Sequence, residues 1–279
     1  MTTRRQFMAA AALAAADLRA AKLKTVGVQL YTVRSILPQK PEETLKAIRA
    51  IGYQEIEATF AGFDKIWPAV EASGLKPVSM HMDNAMVMRG GDELARAVDS
   101  LKQYGFQYAV HPYVPPAERG GPEVMKTLGG KLNHLGELAK KAGMQACYHN
   151  HAFEFATPAD ASQTLFETLA TNTDPKLVHF EVDLFWVSVA GLDPADFLRK
   201  HKGRVSLVHL KDKAQGTEQR YNENVPRTAF KEVGNGVIDW TAVLKAASEA
   251  GTRHYFVEQD QTPGDPIESL RQSFAFLSK

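Results

Sequence analysis

The sequence predicts a closed (β/α)8 TIM barrel of the α/β class, and three observations carry that prediction. The chain is 279 residues long, more than an average domain but normal for one α/β barrel with a large core. From Lys24 onward, short apolar strands alternate with amphipathic helices, the pattern of repeated βα units. Acids and imidazoles recur where those strands stop: His149 and Asn150-His151, Glu181 and Asp183, His209, and Glu258. In a parallel barrel the strand C-terminal ends converge on one face, where active sites sit. No Gly-x-Gly-x-x-Gly follows the first strand, so an open nucleotide-binding sheet loses its main support.

Thr25 to Tyr31 reads as the first strand. Its helix starts at Pro41-Glu42-Glu43-Thr44, with a proline and acids in the first turn, and stops at Gly52. Leu45, Ile48 and Ile51 give that helix its apolar side. The second unit is Tyr53 to Ala58 with helix Phe63 to Ala72. The third is Val78 to Met82 with helix Glu93 to Tyr104. The fourth strand, Phe106 to His111, runs into a proline-rich loop and the helix Glu123 to Lys141, which Gly143 ends. Met144 to His149 is the fifth strand, followed by helix Asp160 to Thr171 and the turn Asn172-Thr173-Asp174-Pro175. Lys176 to Asp183 is the sixth strand; Asp193-Pro194 opens its helix with an N-cap and a proline at the first position. Arg204 to Leu210 is the seventh. Lys211 to Val237 is the longest irregular stretch, a lid or binding loop, with an oligomer contact as its alternative role. Helix Asp239 to Ala250, strand Thr252 to Glu258 and helix Pro266 to Leu277 complete eight units.

The first residues stand outside this pattern. Thr3-Arg4-Arg5-Gln6-Phe7-Met8 followed by Ala9 to Ala16 has the layout of an export signal, and the arginine pair resembles the twin-arginine type. The alternative is an Ala-rich helix leading into the domain. Residues 1–22 are expected to be a removed signal and residues 23–279 the barrel, which implies a periplasmic or otherwise exported protein. The apolar run is too short for a stable membrane anchor. With 33 basic against 32 acidic residues, nothing draws the chain to nucleic acid. Cys147 is the only cysteine, which excludes an intrachain disulfide and a multi-thiolate zinc site.

A hard or borderline divalent cation takes carboxylates and imidazoles. Asp183, His209 and Glu258 meet that need at the ends of strands six to eight. Taken singly, each has a bland reading: an Asp capping a turn, a satisfied buried His, a surface Glu. The fourth ligand comes from strand five, His149 or Glu154. Asn150 and His151 then point to opposite sides of the turn. Gln29, Tyr31, Glu57, His81 and His111 end earlier strands as pocket lining, although His81 and His111 alone would more often be buried, hydrogen-bonded histidines. Lys211 is expected to steady an enolate oxygen or else to pair with Asp212 or Glu258. Trp186, Phe185, Phe153 and Trp67 offer a flat apolar wall for a sugar ring or, equally, core between barrel and helices.

These residues carry a resemblance. Tyr148-His149-Asn150-His151, Asp174-Pro175-Lys176-Leu177, Glu181-Val182-Asp183-Leu184-Phe185-Trp186, Val208-His209-Leu210-Lys211-Asp212, Val233-Gly234-Asn235-Gly236-Val237-Ile238-Asp239-Trp240 and Val257-Glu258-Gln259-Asp260 resemble the sugar phosphate isomerase/epimerase family of the xylose-isomerase-like barrel superfamily. That superfamily also contains tagatose 3-epimerases, inosose dehydratase and the endonuclease IV group. In its epimerases the metal is held by Glu, Asp, His and Glu from strands five to eight. Asp183, His209 and Glu258 match the last three; at the first position this chain has His149, and Tyr-His-x-His there looks more like inosose dehydratase.

The resemblance implies a divalent ion, Mn²⁺ first and Mg²⁺, Co²⁺ or Zn²⁺ as alternatives. It also implies removal of the proton next to a sugar carbonyl through an enediolate. Glu258 or Glu154 is the candidate base, with His151 and Lys211 assisting; Gln29, Tyr31, His81, His111, Asn150 and Trp186 are the candidate substrate contacts. Isomerisation or epimerisation stands slightly ahead of dehydration or cleavage of a keto-glycoside. Export favours a non-phosphorylated carbohydrate as the small-molecule partner. A metallo-nuclease, disfavoured by the balanced charge, and a non-catalytic carbohydrate-binding barrel are the other classes.

Overall fold

The computed structural model describes residues 23–279. The expected export signal, residues 1–22, lies outside the described residues. Eight parallel strands close into one barrel in the order 1-8-7-6-5-4-3-2: β1 (Gly27–Gln29), β2 (Glu55–Thr59), β3 (Lys76–His81), β4 (Tyr108–His111), β5 (Gln145–His149), β6 (Val178–Asp183), β7 (Val205–Leu210) and β8 (His254–Val257). The helices around it are α1 (Pro41–Ile51), α2 (Phe63–Ser73), α3 (Asn84–Arg89), α4 (Gly91–Ser100), α5 (Pro122–Lys141), α6 (Leu165–Thr171), α7 (Leu184–Val189), α8 (Pro194–Lys200), α9 (Trp240–Ala250) and α10 (Pro266–Leu277). Among the described residues no helix is long and apolar enough to cross a membrane.

Alternation along the strands makes two cores. One set of residues, such as Val28, Ile56, Phe180, Val182 and Val208, packs outward under the helices. The other, including Val110, Cys147, Leu207 and Phe256, forms a small cluster inside the barrel. Polar strand-end residues lie above that inner plug, which carries them toward the mouth. Gly52 ends α1 at φ +126, with the Phe274 ring packed where a side chain would stand.

The register does more than close the sheet. His149 pairs with Glu181 across β5 and β6. Between Phe180 and Glu181 the β6–β7 register slips by one residue, so that Asp183 comes level with His209. Without that bulge Asp183 would face Val208, whose side chain points to the helices. A second slip, between Ile56 and Glu57, sets Glu57 beside Ser79.

Two helices were not expected. α3 is capped by Asp83, whose side chain accepts from Met86 N, and α7 is capped by Asp183, which accepts from Trp186 N. Five of the six residues of α7 are buried apolar groups. It therefore has no polar face, and a helical period does not show in its sequence. The first strand is shorter than expected, because Leu30–Val33 turns into a 3-10 helix. The long stretch after β7 contains a two-strand hairpin, Asp212–Lys213 against Phe230–Lys231. The Asp212 carboxylate gathers the N–H groups of Gly234, Gly236 and Ile238 and the Trp240 indole at 2.7–3.2 Å. Gly236 lies against Asp212 so closely that any side chain there would clash.

Candidate active site

Residues two apart share a strand face. In the second half of the barrel this brings four pairs to the mouth: His149 and His151, Glu181 and Asp183, His209 and Lys211, Glu258 and Asp260. His209 Nδ1 lies 2.9 Å from Glu258 Oε2 and 3.9 Å from Asp183 Oδ2. His149 Nε2 lies 3.8 Å from the same Asp183 oxygen. Two donors on one ion, each at ~2.0–2.2 Å, stand no more than about 4.4 Å apart, and all three separations satisfy that. Asp183 shows the division of labour: Oδ1 caps α7, accepting from Trp186 N at 3.0 Å. Oδ2 is buried and accepts no hydrogen bond among the described residues. That oxygen faces the Lys211 ammonium and keeps lone pairs open that a divalent cation could take. The donor set of Asp183, His209 and Glu258 therefore fits the ion, with His149 Nε2 within reach of Asp183.

Lys211 is buried, with its ammonium 2.9 Å from Asp183 Oδ2, 2.7 Å from Glu258 and 2.6 Å from Asp260. Its contact with Asp183 is ionic without hydrogen-bonding geometry. Burial alone would raise the Glu258 carboxyl, but the Lys211 and His209 charges override it and hold Glu258 well below the usual range.

Under these groups lies a second layer. His209 Nε2 meets Glu57 at 2.5 Å, and His149 Nδ1 meets Glu181 at 3.1 Å. Each imidazole thus has one nitrogen on a carboxylate below and the other toward the cation position, the usual way a ligand ring is oriented. His81 bridges the two carboxylates, 3.0 Å from Glu57 and 2.8 Å from Glu181. Burial opposes charge on its ring, yet those two neighbours raise it to about 10. His81, His149, Glu181 and His209 also sit within metal-binding reach of one another. A Glu181 oxygen stands where the three rings converge, so this group is a hydrogen-bonded hub.

The mouth is a cavity of about 690 Å³. Of the expected residues, Tyr31, His81, His149, His151, Trp186, Lys211 and Glu258 line it. Among the described residues, the His151 ring has no partner at Nδ1 and Trp186 has none at Nε1. Burial, with Lys211 nearby, keeps the His151 imidazole neutral.

The other expected contacts do not reach the cavity wall. His111 follows the outward parity of β4 and donates from Nε2 to Asn84 Oδ1, stacked on Tyr148; burial lowers it to about 4. Asn150 turns outward and clamps the Asp183 backbone. Gln29 is spent on Glu57 and Tyr31 N. Glu154 is buried against the Tyr148 hydroxyl at 2.7 Å and His151 N at 3.0 Å, away from the Asp183 group, and burial lifts it to about 7. Lys211 pairs with Glu258 and not with Asp212, which closes the loop after β7 instead. Of the aromatic wall, Trp186 lines the cavity; Phe185 stacks on Phe230, Phe153 lies under Arg119, and Trp67 packs among Phe63 and Tyr104 on the helix side.

Asp83, Tyr113, Glu223, Arg227 and Asp260 also line the cavity and were not singled out. Asp260 was readable, since it stands two residues after Glu258. Glu223 and Arg227 come from the long loop, where no local period says which side chains point inward. Arg119 holds Glu223 at 2.7 Å, which ties the loop after β7 to the one after β4.

The xylose isomerase-like TIM barrel model matches residues 10–279. The chain belongs to that family. Inosose dehydratase from Geobacillus thermodenitrificans is 33% identical over 147 residues, 49% of this chain and 48% of that protein. The chain thus spans about half the length of the curated relatives it matches. A sugar phosphate isomerase/epimerase from Parabacteroides distasonis superposes with TM-score 0.77 at 22% identity, covering 94% of this chain and 96% of that one. The IOLI protein, solved with a zinc atom, gives TM-score 0.68 at 15% identity over 91% and 98%. The 3-keto-D-glucoside 4-epimerase from E. coli gives 0.62 at 18% over 91% and 98%. Likeness to these three structures is one of fold.

Proposed function

We propose that the protein is a divalent-metal-dependent lyase that takes the proton next to a carbonyl of a non-phosphorylated keto-sugar and expels the β-substituent. The observation that carries this is the grouping of Asp183 Oδ2, His209 Nδ1 and Glu258 Oε2, with His149 Nε2 beside Asp183, under a cavity that His149 and Glu258 line. The ion, when held there, supplies Lewis-acid polarisation of a carbonyl. His151, neutral and unpartnered at Nδ1, accepts the α-proton. Lys211 donates toward the developing oxyanion, and Trp186 faces the ring. The proton on His151 then leaves with the β-oxygen as water or alcohol, so the step consumes no other reactant. The inosose dehydratase relatives support elimination; the neighbour named as a 3-keto-D-glucoside epimerase supports epimerisation, the second outcome of the same proton transfer.

Incubation with Mn²⁺ in D₂O with ketoses, inososes and 3-keto-glucosides, followed by NMR, tests it. An enone or released alcohol is expected; deuterium gained with composition retained means epimerisation. No α-proton exchange by protein that binds both metal and sugar would overturn the enzyme. Export through the twin-arginine route belongs to the same proposal. A reporter carrying residues 1–30 should leave the cytoplasm, and export surviving Arg4→Lys with Arg5→Lys would remove that route.

A further inference from the structure

Beside the main cavity lies a second hollow of about 300 Å³, and Tyr31, Thr59 and Ala61 line both. The two are therefore one continuous groove over the ends of β1 and β2. Their linings differ. The main cavity mixes imidazoles, carboxylates, Lys211 and Arg227 with apolar groups such as Trp186, Val225 and Phe230. The annex is walled by Leu37, Pro38, Pro41 and Ile66, with Arg34 and Lys65 as its only charged residues. Arg34 is already committed: its guanidinium donates to the carbonyls of Asp260 at 2.6 Å and Tyr31 at 2.9 Å and lies 4.0 Å over the Tyr31 ring. That contact, with Gln29 accepting from Tyr31 N, holds an exposed aromatic ring in place at the junction. Exposed aromatics so fixed are preformed platforms for flat apolar groups.

We propose that the annex binds an apolar, aromatic aglycone of a glycoside whose sugar ring occupies the main cavity. It rests on the carbohydrate reading above and narrows the substrate to aryl glycosides. A second sugar is the poorer occupant. Its hydroxyls would lose water and find, besides the engaged Arg34, only the exposed Tyr31, Thr59 and Lys65 as hydrogen-bonding side chains, whereas an aryl ring gains from every apolar surface it covers. The Asp260 carbonyl links the two compartments, since Arg34 grips it two residues beyond Glu258. The aglycone thus lies on the β1–β2 side of the mouth.

Binding of unreactive probes reads the annex without the chemistry. Calorimetry on the Mn²⁺-loaded protein should find phenyl β-D-glucoside binding about 10–100-fold more tightly than methyl β-D-glucoside. Ile66→Trp, which fills the annex, should bring that ratio to near one. Ala61→Trp, on an exposed loop position, should do the same if Ile66→Trp fails to fold. Equal affinities for the two probes in the wild type, a ratio preserved in the folded variants, or cellobiose binding more tightly than the phenyl glucoside would each overturn the aglycone site. The D₂O exchange experiment above is independent. Exchange without phenyl preference removes only the annex, and phenyl preference without exchange removes only the chemistry.

Discussion

The two halves of the barrel are built from the same βα unit and do different work. β5 to β8 each end in two polar residues on the inward face, and these meet to form the cation position and the neutral imidazole beside it. β1 to β3 end in Gln29, Glu57 and His81, which bond to one another and to the underside of His209 and Glu181, while Tyr31, Thr59 and Asp83, two residues on, line the cavity outside that cluster. β4 brings no polar side chain to the wall, because His111 falls on its outward face. The first half therefore orients the ligands that the second half presents, and it uses its free surface for the apolar annex. The lesson is that the second half brings imidazoles, carboxylates and an ammonium together at its strand ends, whereas the polar ends of the first half bond beneath them.

That contrast can be broken most directly at the second half. Asp183→Ala with His209→Ala should empty the cation position while leaving the barrel folded, and turnover should fall by at least about 10³-fold. Full metal content in that protein, by elemental analysis, would mean the ion is held elsewhere. His151→Gln should separate proton transfer from ion binding. Turnover is expected to drop by ~10²–10⁴-fold with metal content retained, and an unchanged rate would return the base to Glu258.

Glu154 sharpens the comparison by showing a polar residue of the second half that supports without facing the cavity. Its carboxyl, lifted by burial to about 7, is held above its unfolded value of ~4.3. Its contribution to stability is complete below the unfolded value and is lost as pH rises toward 7, because the folded state must keep a proton the unfolded chain has released. The loss is at most about 4 kcal/mol. Denaturation of wild type and Glu154→Gln at pH 5 and pH 8 should therefore give similar stabilities at the lower pH and a more stable variant at the higher. Parallel curves would show that Glu154 does not titrate in this window. The smallest effect belongs to the first half. Glu57→Gln should weaken metal affinity by about 10–100-fold, as expected for a group that orients a ligand, with a far smaller change in folding. An effect as large as that of Asp183 would make Glu57 a direct holder of the ion and erase the distinction between the halves.

Much of this was legible in the chain. Strand-ending polar residues at known spacings placed His149, Asp183, His209 and Glu258 at one face, since parallel strands in a barrel end together. α7 and the inward side chains of the loop after β7 were not legible. The first has no polar face to give a period, and the second has no regular backbone to set one. Parity could also have excluded His111 and Asn150, because residues one apart on a strand point to opposite faces.

The sequence by itself determined the barrel, the polar strand ends and their parity, because hydrophobic alternation and turn residues act over a few positions. Only the tertiary structure decided the rest. A one-residue slip between β6 and β7 brought Asp183 level with His209. Closure of β1 against β8 and β2 put Tyr31 and Arg34 beside Asp260. Lys211 found three carboxylates from β6, β8 and the loop beyond β8. Each depends on which distant segments touch, and no local spacing encodes that.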